Sequence, residues 1–502
     1  MSRRRCLARP LSMSLVIACF AVAASAAEPT GRYLAIVRRA ADALLNEGID
    51  VYGPQKSALI ISVLDAKTGR PLEKLPKPPS GVRAGDRSTP YGSNANIQQD
   101  LYRTLDELSR LTGNQRYERA SHAALVDFLR LTQNPDTGLL AWGEHLCWDC
   151  LHDRAAAARP DLKMIHEPKR DLLYFDLLYE AEPERTLKYA RGLWEHQISD
   201  HKTGDFSRHA AYDKHGPGRG FDFPKEGGYF IDTWARAYQK TRDPLFSGAI
   251  RVLAKRFLNR MNARDLLDFD SSNDAERRNT CIPLWMASLA MECSEAARRV
   301  DGETAELLKT LAARHDHGFL SLAHDPSNPQ RGFVYCAYTD SGLPRPRYGT
   351  EGWSRAWGMG YGVNTTAMFA LQCYARGMQL TDTPDGKKYQ QLVVAAADLY
   401  ATSLPDAKAI DIWAGEYGMA IFTEIAAYRL THDSKYLEAA TKLADRALAD
   451  LWGREYVLPR ASTHTAHYEA ISYPDTLLLS LLALHEHVAG QTPAVPISAL
   501  CR

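Results

Sequence analysis

Apolar residues recur at three- and four-residue spacing along most of the chain, whereas runs that alternate apolar and polar residues are scarce. Because the first spacing places apolar side chains on one face of a helix, the pattern predicts an all-α protein. About fourteen helices are predicted, near residues 32–47, 95–111, 116–132, 169–181, 184–198, 229–241, 245–263, 282–299, 303–315, 362–380, 388–403, 416–430, 434–452 and 473–489.

The predicted connections alternate between short turns and long loops. Turns such as 112–114, 241–243 and 431–433 carry Thr together with Asp or Asn, which suits capping of the next helix. If consecutive helices run antiparallel, every second connection lies at the same end of the molecule. Seven hairpins closed into a ring then predict an (α/α)7 toroid or barrel with a loop-rich cleft, and an open helical solenoid is the alternative. The long loops that would share this face are 48–94, 133–168, 199–228, 264–281, 316–361, 404–415 and 453–472.

The first 26 residues are typical of a secretory signal peptide. Four arginines precede an apolar run at 11–24, and small residues at 24–26 form a cleavage site. A weaker interpretation takes 16–19 as a lipoprotein cleavage box. The sequence therefore predicts a signal peptide at 1–26, one domain at 27–502, and a periplasmic or secreted location without a membrane span.

Composition narrows the classes of partner. The 502 residues are 45% apolar with a formal net charge of +1, so bulk attraction to nucleic acid or to a membrane surface is not expected. An anionic substrate would have to be attracted by a local patch. The seven cysteines that remain after the signal are an odd number spread over a long chain, which is not the pattern of a disulfide framework.

Three short loop segments, 142–145, 166–169 and 206–209, carry the candidate chemistry. His145, Glu167 and His209 form a mixed ligand set that suits a catalytic divalent metal with open coordination positions. Glu167 precedes a proline, which predicts that it caps a helix. Arg208 stands next to His209, and a metal together with a guanidinium is suited to neutralising a sugar carboxylate. The segments thus indicate acidic polysaccharide chemistry.

A competing local pattern overlaps the first segment. His145, Cys147, Cys150 and His152 form H-x-C-x-x-C-x-H, which is compatible with a zinc site or a redox pair. Structural zinc sites usually draw on two separated clusters, and this is a single one. We therefore interpret the two cysteines as packing residues or as a short-range disulfide.

Four further residues are candidates for substrate binding. Trp142 lies in a long loop, where a sugar-stacking role competes with core packing. Arg460 is expected on the same face and can hold a carboxylate bidentately, although a solvated surface arginine fits equally well. Lys169 and Tyr212 complete the set.

The chain resembles polysaccharide lyase family two, the (α/α)7-barrel pectate lyases. The resemblance implies that His145, Glu167 and His209 bind a divalent metal, typically manganese, with calcium or another divalent ion as alternatives. It also implies that Arg208 is the Brønsted base. The chain departs from the family at Glu144, where glycine is usual. The motifs that carry the resemblance, in order, are 93–94 with 98–99, 142–145, 166–167, 208–209, and 459–462 with 467–469.

These observations predict a monomeric lyase that cleaves a polyuronate such as pectate by metal-assisted β-elimination. Tyr212 and His209 are alternative bases, because a guanidinium normally stays protonated. An (α/α)-barrel glycoside hydrolase is a second hypothesis, and a non-catalytic glycan-binding protein is a third. A hydrolase would need two carboxylic acids and no metal, for which the candidates are Asp149, Glu226 and Glu351.

Overall fold

The structure is a computed structural model that describes residues 31–157, 163–172, 174–214, 220–272, 274–360 and 362–499. The predicted signal peptide lies outside these residues. The described chain contains fourteen α-helices, which confirms the all-α prediction. They are α1 (Arg32–Glu47), α2 (Gln99–Thr112), α3 (Arg116–Thr132), α4 (Phe175–Ala181), α5 (Pro183–Gly192), α6 (Pro224–Thr241), α7 (Pro244–Arg260), α8 (Pro283–Ala297), α9 (Gly302–Leu320), α10 (Thr366–Gln379), α11 (Pro384–Thr402), α12 (Ala414–Thr431), α13 (Ser434–Leu451) and α14 (Pro474–Val488).

The helices form antiparallel hairpins arranged in a closed ring. Inner helices α6, α8, α10, α12 and α14 pack successively against one another, and α14 also packs on α2 and α1. The last helix therefore joins the first two, which distinguishes a toroid from an open solenoid. Helix α12 is buried without interruption from Ala414 to Ala427, as an inner helix must be, whereas the outer helix α13 buries one face.

Two of the short turns, 241–243 and 431–433, cap the helix that follows them as predicted, whereas the N-cap residue of α3, Gln115, makes no side-chain capping bond. The Asp243 side chain accepts a hydrogen bond from the backbone N–H of Leu245 at the start of α7. Asp433 does the same for α13, with Lys435 as donor. These caps satisfy helix N–H groups that have no partner within the helix, so both helices start at a defined residue.

Short antiparallel strands order the long loops. In the described residues, β1 (Val63–Asp65) pairs with β9 (His467–Glu469), and β2 (Gly92–Ser93), β3 (Leu146–Asp149) and β4 (Arg154–Ala157) form a small sheet. β5 (Ile165–His166) pairs with β8 (Ala210–Ala211), and β6 (Ile198–Asp200) pairs with β7 (Asp205–Phe206). The strands satisfy backbone groups that a long connection would otherwise leave without partners.

One local prediction is wrong. Glu167 does not cap a helix, because α4 begins only at Phe175 and its N-cap residue is Tyr174. The backbone around Glu167 pairs instead with β8 and with Gly143. Pairing with distant loops satisfies this segment more completely than a helix start would, and no local pattern reveals it.

The described cysteines carry no disulfide. All six are buried free thiols, and they include Cys147 and Cys150. Those two are therefore packing residues, as one of the two interpretations expected. Among the described residues, no helix is both long and apolar enough to cross a lipid bilayer.

Candidate metal centre

Backbone pairing brings the three predicted segments together at the loop-rich face. β5 and β8 pair His166 with Ala210, so that Glu167 lies beside Arg208 and His209. Gly143 forms a parallel bridge with Glu167, which brings the 142–145 segment to the same place. Gly143 has φ +105°, and a Cβ there would lie 1.8 Å from the carbonyl oxygen of Glu167, so this close approach requires glycine.

A buried glutamine holds two of the segments in register. Gln197 ends a π-helical turn, and its amide donates to the carbonyl oxygens of Ser207 at 2.6 Å and Arg208 at 2.9 Å. Its Oε1 lies 2.9 Å from Nδ1 of His166. Sequence reasoning missed Gln197, since a π-turn is visible only in the backbone.

His145, Glu167 and His209 converge on one point. One ligand atom from each lies within 4.8 Å of the others. Oε2 of Glu167 is 3.0 Å from Nε2 of His209 and 3.4 Å from Nε2 of His145. Adjacent ligands bound at about 2.1 Å to a small cation lie roughly 3.0–3.4 Å apart, so these separations match a shared metal.

The hydrogen bonding of the cluster also fits a cation. Oε2 of Glu167 and Nε2 of His209 are buried and lie 3.0 Å from each other, and among the described residues neither has another hydrogen-bond partner. Nδ1 of His145 lies 3.0 Å from the carbonyl oxygen of Gly85, and by donating its proton there it leaves Nε2 as a free lone pair. Unsatisfied acceptors aimed at one point are what a divalent ion would satisfy.

Two cations lie on the other side of the Glu167 carboxylate. Nη1 of Arg208 contacts its Oε1, and Nζ of Lys169 is 3.0 Å from the same oxygen. One oxygen of Glu167 thus faces the imidazoles and the other faces the cations. Metal ligands and charged groups that can bind a substrate carboxylate are therefore joined through one buried side chain.

Glu144 is a fourth charged member that sequence reasoning did not assign to the site. Its Oε2 is 2.5 Å from Nζ of Lys169 and 3.2 Å from Nη1 of Arg208. Its Oε1 is 3.1 Å from Nη2 of Arg83, which comes from the loop before α2. The available indication was its position next to His145, but the contact with Arg83 joins residues 61 apart in sequence.

Charge balance sets the protonation states. Burial by itself would lower the pKa of Arg208, but the carboxylates of Glu167 and Glu144 outweigh burial and raise it. The same opposition raises the pKa of Lys169. Burial would raise the pKa of Glu167, yet Arg208 and Lys169 hold it well below its usual range. Burial lowers the pKa of His209, which favours the neutral form that can bind a metal.

Trp142 and Tyr212, two of the residues expected to bind substrate, lie in the core. Trp142 is 3% exposed, and its Nε1 donates to Nε2 of His166 at 3.1 Å. The hydroxyl of Tyr212 donates to the carbonyl oxygen of Thr132 at 2.8 Å, and burial raises the pKa of Tyr212 to about 12. Neither ring offers a free face on which a sugar could stack, because the apolar run before His145 packs inward.

Arg460 is engaged with its own loop. Its guanidinium donates to the carbonyl oxygens of Thr463 at 3.2 Å and Thr465 at 3.1 Å. Both of these bonds come from Nη1, and Nη2 donates to the carbonyl oxygen of Asp450. They order the segment before β9 and use the two terminal nitrogens that a bidentate carboxylate would need. Of the residues expected to bind substrate, the structure brings Lys169 to the cluster.

A cleft opens beside Glu144, Lys169 and Arg208. Its aromatic floor includes Phe223 and Trp285, whose rings stack with centroids 4.5 Å apart. Sequence reasoning missed Trp285 because it lies in the first turn of α8, where an aromatic residue is read as core. The remaining lining residues are Lys225, Phe269, Arg277, Ile282, Tyr335, Tyr348, Gly362 and Asn364.

The carboxyl groups considered for a hydrolase lie in three different environments. Asp149 is 2.9 Å from Nδ1 of His152 on β3 and its turn. Glu351 is exposed. Glu226 is fully buried, and burial raises its pKa.

The central segments of the chain match known proteins. Residues 79–251 match the sequence profile of a protein family described as periplasmic pectate lyase. A pectate disaccharide-lyase of Dickeya dadantii (strain 3937) is 31% identical over 121 residues, which is 24% of this chain. The alignment spans 22% of that relative's length. The matched range contains every residue of the candidate metal centre, and the resemblance seen in the sequence is confirmed.

Solved structures with similar folds include two sugar-active enzymes. A cellobiose 2-epimerase of Bacillus thermoamylovorans aligns with a TM-score of 0.42 and 8% identity, covering 91% of this chain and 100% of that one. A GH76 α-mannanase of Bacteroides thetaiotaomicron aligns with a TM-score of 0.45 and 10% identity, covering 92% and 97%.

Proposed function

We propose that this chain is a periplasmic or secreted polysaccharide lyase that cleaves a pectate-like polyuronate by metal-assisted β-elimination. The observation that carries the proposal is the convergence of His145, Glu167 and His209, with ligand atoms facing one another on one side of the buried Glu167 carboxylate and Arg208 and Lys169 on the other. The match of residues 79–251 to periplasmic pectate lyases supports it. Residues 1–26 would be the signal peptide.

We propose His145, Glu167 and His209 as ligands of the metal, most simply manganese. When bound, a divalent cation would polarise the uronate carboxylate and so make the proton at C5 easier to remove. Two imidazoles and one carboxylate leave coordination positions open for substrate oxygens. The Gly85 carbonyl fixes the orientation of the first imidazole.

Lys169 provides the positive charge that elimination needs. Lys169 would hold the substrate carboxylate and stabilise the enolate-like charge that develops as C5 loses its proton. Because the ammonium is largely shielded from solvent and already charged, it need not reorganise during the reaction. Electrons from the broken C5–H bond form the C4–C5 double bond as the C4–O4 bond breaks. The electron pair of the C4–O4 bond leaves with O4, which takes a proton from water and becomes the hydroxyl group of the departing sugar.

Arg208 is the proposed base that accepts the C5 proton. To do so it must first be neutral, and Glu167 and Glu144 oppose this because they raise its pKa. A bound cation that offset the negative charges of Glu167 and Glu144 would lower the pKa of Arg208. The neighbouring Lys169 ammonium also disfavours a second positive charge beside it. Tyr212 is less suited to the role, since its hydroxyl is committed to Thr132.

Elimination leaves a conjugated unsaturated uronide, which absorbs in the ultraviolet. Purified full-length chain with manganese should release such a product from polygalacturonate, and a chelator should stop it. His209→Ala should abolish product formation, whereas His152→Ala, a histidine outside the cluster, should not. Saturated products would indicate hydrolysis, and absence of product from all polyuronates would overturn the proposal.

A further inference from the structure

The carboxylate of Glu144 is surrounded by three basic side chains. Lys169 lies 2.5 Å from Oε2, Arg208 lies 3.2 Å from Oε2, and Arg83 lies 3.1 Å from Oε1. Glu144 is 6% exposed and lines the cleft beside the metal centre. An ammonium and two guanidinium groups around one carboxylate are the donors that a protein would use to bind a free carboxylate ligand. We call this set of three cations the carboxylate seat.

Glu144 is less well placed to be a metal ligand. Its Oε2 is 3.8 Å from Nε2 of His145, and it is not among the three residues whose ligand atoms converge. Both of its oxygens already contact cations, whereas Oε2 of Glu167 faces the imidazoles of His145 and His209. The contacts of Glu144 are thus those of a bound anion.

We propose that Glu144 occupies the carboxylate seat in place of substrate and thereby sets the selectivity between free and esterified uronates. A uronate carboxylate has to displace Glu144 from Lys169 and Arg208 before it can use them. A methyl-esterified uronate brings no charge and gains little from the seat. Glu144 therefore weakens binding of the free acid but not of the ester. It thereby reduces the ratio of the affinity for the acid to the affinity for the ester.

The inference rests on the proposed function, because it assigns the seat to a uronate. Its test is calorimetric binding of trigalacturonate and of its methyl ester to full-length chain kept in chelator, so that no turnover occurs. Glu144→Gln keeps the size of the side chain and replaces the carboxylate in the seat by a neutral amide. It should bind the acid at least tenfold more tightly than the unmodified chain does, with ester binding changed less than twofold.

Asp86→Asn is the matched control. Asp86 is a buried carboxylate that pairs with Arg83 at 2.7 Å, so its replacement removes one negative charge near the seat without emptying it. Acid binding by this variant should stay within twofold of the unmodified chain. A thermal melt of each variant establishes that it is folded.

Several results would overturn the inference. Acid binding that is unchanged or weaker in Glu144→Gln would do so, as would absence of binding by both proteins. A manganese affinity that falls more than tenfold further in Glu144→Gln than in Asp86→Asn would make Glu144 a metal ligand instead. If polyuronates give no ultraviolet-absorbing product but Glu144→Gln still tightens acid binding, the lyase proposal fails and the seat remains.

In the manganese-loaded chain, the same displacement predicts a kinetic signature. Glu144→Gln should lower KM for polygalacturonate by tenfold or more and lower it much less for highly esterified pectin. A fall in kcat with unchanged KM would contradict the inference, since it would mean that Glu144 acts in the chemical step.

Discussion

Replacing Glu167 by glutamine removes the carboxylate that contacts both imidazoles and both cations of the centre. Glu167 is fully buried, so its contacts with Arg208 and Lys169 are shielded from water. Removing one partner of a buried ion pair costs about 3–5 kcal/mol, because the remaining charge stays buried. Glu144 still pairs with both cations, so we expect the lower end, about 3 kcal/mol.

Metal binding adds a second, separable loss. At a manganese concentration one hundred times Kd, binding stabilises the folded chain by about 2.7 kcal/mol. The neutral amide of Glu167→Gln should abolish most of this. The free energy of unfolding should therefore differ between the two proteins by about 3 kcal/mol in chelator and by nearly 6 kcal/mol in manganese.

Urea unfolding with and without manganese measures both losses. Glu226→Gln is the control, since Glu226 is equally buried and burial raises its pKa, but its ion pair with Lys225 is long, at 3.5 Å, and neither of its oxygens makes a hydrogen bond. A neutral amide there should cost less than about 1 kcal/mol and preserve the manganese effect. The reasoning fails if Glu167→Gln is as stable as the unmodified chain in chelator, or if manganese stabilises both equally.

Three further predictions follow from the same structure. Arg208→Lys should lower kcat by about 100-fold or more while calorimetry shows little change in manganese affinity, and a near-normal kcat would exclude the guanidinium as base. Gly143→Ala should cost more than about 3 kcal/mol of unfolding free energy in urea, because its Cβ meets the Glu167 carbonyl, whereas Gly113→Ala, with positive φ and no atom within 4 Å, should cost about 1–2 kcal/mol. Burial and a neighbouring carboxylate raise the pKa of Glu424 from 4.5 to about 9, so its stabilising contribution is complete below pH 4.5 and is lost as pH rises through 9. Glu424→Gln should flatten the fall of the urea midpoint over that window, and an unchanged slope would contradict this origin.

Much of the fold was predictable because helix periodicity is a local property. The bounds of α1 and α3 match the predicted 32–47 and 116–132, since apolar spacing and turn residues define both ends. Convergence of His145, Glu167 and His209 was also predictable, because alternating long and short connections place their loops on one face.

The features of the site that were not predicted depend on contacts between segments distant in sequence. The extended backbone at Glu167 arises from pairing with β8 and with Gly143, and a proline after it suggested a helix start instead. Glu144 and Arg83 meet across the cleft without any local pattern that links them. Trp142 was expected to be available for sugar stacking because it lies in a loop, but its ring is buried in the core.

The junction of α14 with α1 and α2 has a consequence for how the chain reaches its native state. Residues nearly four hundred positions apart must meet there, as the hydrogen bond from Thr476 to Asp100 shows. During synthesis the first helices emerge long before α14 exists, so the apolar faces that α14 covers stay uncovered until it is made. Holdase chaperones would therefore be expected to bind the emerging N-terminal hairpins, and release should coincide with arrival of the final helix.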